Sequence, residues 1–272
     1  MSRSRFVAAL TFVLVFSVWQ RPSAARAQAC HSVDFRKPLE LPFRATLDLL
    51  MAGYGEGDDQ GSYEGVYGSF GYHAPWWAAE VLVPAYRLAP RGQGDTYGLG
   101  DLVLTARGTA IRARDGKLTA GVELPVMLPT GSESRGLGMG HVMPMPALWF
   151  SFVRAPVSVR LAAGYGHAIG DMPVSHDHGD MDSPQRPVVN PMNRREVEHA
   201  AAFGLGLRRD FSVHARWFGG VPVERGQGVV REIVALGATA TLSAFDVTFE
   251  VQRPIVNLVF DYKLVLQLGA SF

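Results

Sequence analysis

The chain has 272 residues, with 26 Lys and Arg against 25 Asp and Glu and a formal net charge of +1. That balance leaves no electrostatic footprint for nucleic acid, and no nucleic-acid partner is expected. The single cysteine, Cys30, excludes an internal disulfide, and 30 glycines suit a chain of turns and closely packed strands.

At the N-terminus, Arg3 and Arg5 precede an apolar run from Phe6 to Trp19, and Ala27-Gln28-Ala29 fits small-x-small cleavage. This predicts a signal peptide over residues 1–29. The run is shorter than the roughly 20 apolar residues that a spanning helix needs, and no later stretch matches it. An exported chain without a transmembrane helix is expected. Cys30, just past the cut, is a candidate for lipidation, although Ala27 and Gln28 depart from the usual lipobox. The alternative is a plain mature N-terminus. Residues 30–43 read as a periplasmic N-terminal segment.

From there the hydrophobic pattern has period two. Candidate strands cover 44–54, 62–73, 76–88, 99–112, 117–128, 142–154, 156–168, 196–208, 211–223, 230–242, 244–253 and 259–272. In the fifth, Leu118, Ala120, Val122, Leu124 and Val126 share a face, with Glu123 on the other. In the seventh, Val157, Val159, Leu161, Ala163 and Tyr165 oppose Ser158, Arg160 and Gly164. In the eleventh, Phe245, Val247, Phe249 and Val251 oppose Asp246, Thr248, Glu250 and Gln252. In the last, Phe260, Tyr262, Leu264, Leu266, Leu268, Ala270 and Phe272 alternate with polar or small residues, and the sequence stops on an aromatic.

Short connections follow the even-numbered strands, while 89–98, 129–141 and 169–195 are long. Membrane barrels have even strand counts, short periplasmic turns and longer outer loops. A soluble sandwich has no reason to sort its loops by parity. The expected fold is therefore all-β: a single antiparallel transmembrane β-barrel of twelve strands over 44–272. It would sit in the outer membrane of a Gram-negative bacterium with both termini periplasmic. Its partners would be outer-membrane lipid and the barrel assembly machinery. The pleat assigns Asp48, Glu80, Asp101, Arg107, Glu123, Arg160, His214, Arg216, Arg231, Asp246, Glu250, Asp261 and Lys263 to the lumen, as a solute path or as charges that satisfy one another.

Gly98-Leu99-Gly100-Asp101, Gly121-Val122-Glu123-Leu124-Pro125, Leu128-Pro129-Thr130-Gly131 and Gly136-Leu137-Gly138-Met139-Gly140 follow one another across the fourth and fifth strands and the loop after them. This arrangement resembles an outer-membrane family named for the phenol-degradation meta-pathway, strongest over about 98–170. The resemblance implies a β-barrel and, by association, uptake of small and often aromatic molecules. It carries no catalytic residues to this chain.

The predicted outer loops hold Ser175-His176-Asp177-His178-Gly179-Asp180-Met181-Asp182. His141, His167 and His199, and Met127, Met139, Met143, Met145, Met172 and Met192, fall in or near the same loops. Imidazole suits Cu and Zn, and thioether suits Cu(I). Candidate metal ligands are His176, His178, Asp180, Asp182, His167, His199, Met143 and Met145. His167 and His199 would sit on neighbouring strands, where cross-strand neighbours lie about 5 Å apart. Such a tract is equally an ordinary solvated loop. Gly136-x-Gly138-x-Gly140 opens no helix and is no dinucleotide fingerprint. No G-x-S-x-G elbow occurs, and no outward serine lies on the strands beside His199. No enzyme is expected. The expected function is passive transfer of a small, hydrophobic or aromatic solute through the lumen. A Cu- or Zn-binding outer-membrane protein and a plugged structural barrel are the alternatives.

Overall fold

A computed structural model describes residues 42–56, 59–92, 94–113, 117–170, 192–223, 228–256 and 260–272. The expected signal peptide over 1–29, Cys30 and the tract containing His176, His178, Asp180 and Asp182 lie outside the described residues. Twelve antiparallel strands follow in order: β1 (Phe43–Glu56), β2 (Asp59–His73), β3 (Trp77–Pro90), β4 (Thr96–Leu99 and Leu102–Ala113), β5 (Leu118–Leu128), β6 (Met143–Pro144 and Ala147–Arg154), β7 (Val157–His167), β8 (Arg195–Gly206), β9 (Phe211–Pro222), β10 (Arg231–Leu242), β11 (Phe245–Val256) and β12 (Tyr262–Ser271). Each pairs with its chain neighbour. β12 pairs with β1 from Arg44↔Ser271 to Gly53↔Tyr262, which closes the ring. Closure leaves no sheet edge with unsatisfied backbone groups.

The pleat sorts the side chains. Leu47, Leu49 and Met51 of β1 lie opposite Leu268, Leu266 and Leu264 of β12, which in turn lie opposite Val247, Phe249 and Val251 of β11. Most of these residues are exposed, as are Leu104, Val122, Leu124, Leu148, Leu161, Phe203 and Leu236 around the ring. The alternating positions, such as Arg44, Asp48, Leu50, Ala52 and Tyr54 on β1, are buried. In a closed sheet the buried face is the lumen, so the outside is the apolar face.

One end of the barrel holds the tight turns 74–76, 155–156, 207–210 and 243–244. The first and last strands also meet there, where Phe43 and Phe272 exchange backbone hydrogen bonds of 3.1 and 3.0 Å. The other end holds the loop 129–142, with a single 3-10 turn at Glu133–Arg135.

Three departures from strict periodicity matter. β4 is interrupted at Gly100-Asp101, where an added Cβ on Gly100 would come within 2.4 Å of the Tyr86 ring. β6 is interrupted at Met145-Pro146. Proline has no N–H to give the ladder. The Met145 N–H still reaches the Pro125 carbonyl at 2.8 Å, and the Pro146 carbonyl accepts from Tyr165 at 3.0 Å. β12 starts at Tyr262, not 259. Phe260 is turned inward at 1% exposure instead of continuing the apolar outer face. Asp261, assigned to the lumen from the pleat, sits in the exposed bend before the strand, held by its N–H to the Gly53 carbonyl at 2.8 Å. The alternation fails there because the chain is not yet in the ladder.

Candidate functional site

Among the described residues, Arg44, Glu123, Glu250 and Glu196 each centre an ion-paired cluster in the lumen. At the turn end, Arg44 Nη2 donates to Asp246 Oδ2 at 2.9 Å. On the wall of β4 to β7, Glu123 accepts from Arg107 at 3.0 Å and from Arg160 at 3.2 Å. The Arg160 guanidinium also stands 5.4 Å from the Trp149 ring centroid. On β9 to β11, Glu250 is held by Arg216, by His214 at 3.1 Å and by Gln252 at 2.6 Å. Towards the loop end, Arg231 pairs with Glu196, which also accepts from Asn193 Nδ2 at 2.7 Å. Buried charge is tolerable only when it is paired in this way.

Asp48 and Glu80 sit on lumen-facing positions, opposite Tyr67 and Gln267, and opposite Gly71 and Thr105, respectively. Lys263 is buried, with its ammonium 5.9 Å from the Phe260 ring. Glu196, Arg44, Asn193 and Gln252 were not among the sequence candidates. The parity that picked out Asp48 and Glu250 applies equally to Arg44, Glu196 and Gln252; Asn193 lies outside any strand and carried no such signal.

The glycine and proline motifs converge on one device. Asp101 accepts from the Gly131 N–H at 2.9 Å and the Met139 N–H at 2.6 Å. Thr130 Oγ1 donates to the Gly100 carbonyl and accepts the Leu102 N–H, both at 2.9 Å. The loop 129–142 is thereby stapled to the interruption in β4, and Leu137 and Met139 are drawn into the interior at 2% and 1% exposure. Gly138 is needed for this approach: a Cβ there would lie 2.5 Å from Asp101 Oδ1 and 2.8 Å from Gly131. Gly136 and Gly140 have positive φ, 74° and 73°, which favours glycine.

Much of the remaining lumen is apolar. Leu50, Tyr54, Tyr63, Tyr86, Leu88, Leu137, Phe218, Ile233 and Phe260 form one packed cluster. Val103 with Met127, Met139, Met143, Met145 and Met192 forms a second.

The histidines expected to share a metal do not meet. His199 is opposite Ala163 and His167 opposite Arg195, four residues out of register. His199 lies on the outward face, 3.0 Å from Glu232 Oε2 and against the Trp217 ring, with centroids 4.7 Å apart. The His167 ring stacks beside Tyr165. Among the described residues no group of three or more His, Cys, Asp or Glu stands close enough to hold a metal. A groove of about 590 Å³ opens in the wall between β4 and β7, where Ala106, Gly108, Ala147, Ala163 and Gly164 leave space and Glu123 contributes to the lining.

No family model matches the chain, and no curated protein matches it. Solved structures do. The COG4313 outer membrane channel from Pseudomonas putida F1 superimposes with a TM-score of 0.67 at 12% identity, covering 90% of this chain and 100% of that one. The KdgM porin gives 0.51 at 8% identity, over 84% of this chain and 99% of that one. The same porin in complex with disordered oligogalacturonate gives 0.53 at 9% identity, with the same coverage. At these identities the likeness is one of fold: the chain has the architecture of an outer-membrane β-barrel.

Proposed function

We propose that this chain is an outer-membrane channel through which a small solute passes passively, with its short turns and both chain termini on the periplasmic side. The carrying observation is the inversion of the usual protein plan: apolar side chains cover the outside of a closed ring, and paired charges line its inside. Lipid is the solvent that such an exterior requires, and insertion would depend on the barrel assembly machinery. The fold likeness to a channel and a porin supports the reading. So does the sorting of short turns to one end.

The solute we infer is a small amphipathic molecule, an aromatic ring bearing a polar group. Tyr54, Tyr63, Tyr86, Phe218 and Phe260 make the packed interior rich in aromatic rings, among which a ring-bearing solute would find like surroundings, and Glu123 with Arg107 and Arg160 places charge in the same lumen. The resemblance across 98–170 to a family associated with aromatic uptake points the same way. A plugged structural barrel is the second reading. It is favoured by the near-zero exposure of Glu196, Arg231 and Phe260.

Swelling of proteoliposomes in benzoate and in a monosaccharide of similar size separates these readings. Faster swelling with benzoate supports the proposal. Equal swelling with both makes the channel unselective and removes the aromatic assignment. No swelling beyond protein-free vesicles leaves the plugged barrel.

A further inference from the structure

The methionine cluster is the part of the lumen that solute passage does not explain. A buried apolar core is ordinarily filled with Leu, Ile, Val and Phe, and Met is used sparingly because its flexibility specifies packing poorly. Here five of the chain's nine methionines pack together with Val103, and Leu82 at the margin. Their arrangement is ordered. Along 139–145 every odd position is buried: Met139 at 1%, His141 at 2%, Met143 and Met145 at 0%. Gly140, Val142, Pro144 and Pro146 between them are half-buried or exposed. The result is a Met-x-His-x-Met-x-Met face turned into the barrel by the loop that Asp101 staples.

One other strand and the segment just before β8 bring more sulfur to the same place. Met127 of β5 lies opposite Met143 in the ladder. Met192, just before β8, joins the cluster at 3% exposure. On β7 the facing residue is Gly166, where a Cβ would lie 2.5 Å from Met143 Cε and 3.5 Å from Met145 Cγ. The missing side chain at 166 is what gives these two thioethers room.

We propose that this face binds one soft monovalent metal ion, Cu(I), with Met143, Met145 and Met127 as thioether ligands and Met139, His141 and Met192 completing the set. In an extended chain alternate Cα atoms lie about 6.6–7 Å apart, and a methionine side chain has three rotatable bonds, so neighbouring sulfurs can converge on one ion. Thioethers are neutral and polarisable. They select Cu(I) over Zn or Ni, which need imidazole, thiolate or carboxylate sets that the described residues do not assemble. Neutral ligands add no charge of their own, and the buried carboxylate nearby, Glu196, whose Cγ lies 3.5 Å from the same Gly166 Cβ position, is already paired with Arg231. This site goes beyond the solute-channel reading and does not depend on it.

The test uses the full chain, refolded in detergent, with Ag(I) as a redox-inert probe of the same charge and softness and Cu(I) under reducing conditions in competition with a chromogenic chelator. One ion per chain is expected, with X-ray absorption showing a sulfur-dominated first shell. The volume-conserving double variant Met143→Leu/Met145→Leu should keep the heat-modifiable gel mobility of a folded barrel and bind about a hundredfold or more weakly. The variant His176→Ala/His178→Ala, which leaves the cluster intact, should bind as the parent does. A parent that binds neither ion overturns the proposal. So does a first shell of nitrogen and oxygen, or a loss of binding that follows the His176/His178 variant and not the Met143/Met145 one. If the double Leu variant does not fold, the ligand shell of the parent still decides.

Discussion

The wall formed by β10, β11, β12 and β1 and the wall formed by β4, β5 and β6 are built from the same alternation and end differently. The first has no interrupted strand, and its register shifts once, between Glu232 and Ile233 where β10 meets β11. Leu49, Leu266 and Phe249 are aligned across three strands on the outside, and Glu250 with Gln252 and Arg216 is satisfied on the inside. The second is broken twice, at Gly100-Asp101 and at Met145-Pro146, and register shifts between Thr109 and Ile111 where β4 meets β5. The breaks are where the chain leaves the cylinder, and the loop 129–142 and the methionine face enter the lumen through them. A regular wall holds the barrel together, and an irregular one gives it contents. Local rules tend to fail where a protein does something besides fold.

If that division is right, stability and permeability should come apart under mutation. The largest loss of stability should come from Glu250→Ala, which leaves Arg216 and His214 buried beside no carboxylate. Breaking a buried ion network from one side costs about 3–5 kcal/mol. Urea unfolding of the vesicle-inserted protein would measure it.

Next is Leu266→Arg on the outside of the same wall, mid-strand on β12. A charge facing lipid near the bilayer midplane costs about 2–4 kcal/mol, and the same experiment should show a lowered midpoint. An unchanged midpoint would mean that this face does not meet lipid.

Asp101→Ala in the broken wall should behave differently. It removes two hydrogen bonds that hold the loop, a loss of about 2 kcal/mol, but its main effect should be an increase in single-channel conductance as 129–142 is released. A variant as destabilised as Glu250→Ala, with conductance unchanged, would end the distinction between the two walls.

The smallest effect belongs to the exposed rim. Arg87 on the outward face of β3 pairs with Glu64 at 3.0 Å and with Asp95 at 2.8 Å. The Arg87 hydrogen bond holds the Asp95 carboxyl below its ordinary range, against a smaller opposing effect of desolvation. A lowered folded-state pKa contributes stability above the ordinary carboxylate range, which is lost as pH falls through the lowered value. Arg87→Ala should lower the neutral-pH midpoint slightly and flatten its decline on acidification by the same small amount, the two proteins converging at low pH.

The wall was legible in the sequence because period two is a local property, carried by each strand alone. Val157 to Tyr165 and Phe245 to Val251 show it with no knowledge of their neighbours. The contents of the lumen were not legible in the same way. Glu123 reads as an inward charge, but nothing local says that Arg107 and Arg160 both reach it. The glycine motifs read as turn chemistry, although Gly98-Leu99-Gly100-Asp101 and Gly136-Leu137-Gly138-Met139-Gly140 are two halves of one clasp. His167 and His199 look adjacent on neighbouring strands, yet a register offset of four residues separates them. Phe260 continues the apolar rhythm of the last strand in sequence and abandons it in space, because a rhythm has physical meaning only once the residue is in the ladder.

The seam between β1 and β12 has a kinetic consequence. Arg44 and Ser271, partners across it, are 227 residues apart in the chain, whereas every other strand pair joins chain neighbours. Hairpin pairing closes short loops and is entropically cheap, but the seam must close a loop almost as long as the barrel itself. The sheet should therefore assemble by zipping from hairpin to hairpin and become a cylinder only in its final step. Until then it has two free edges, β1 starting at Phe43 and β12 running out to Phe272. A cross-link holding those two strands together should speed refolding far more than one placed across any hairpin.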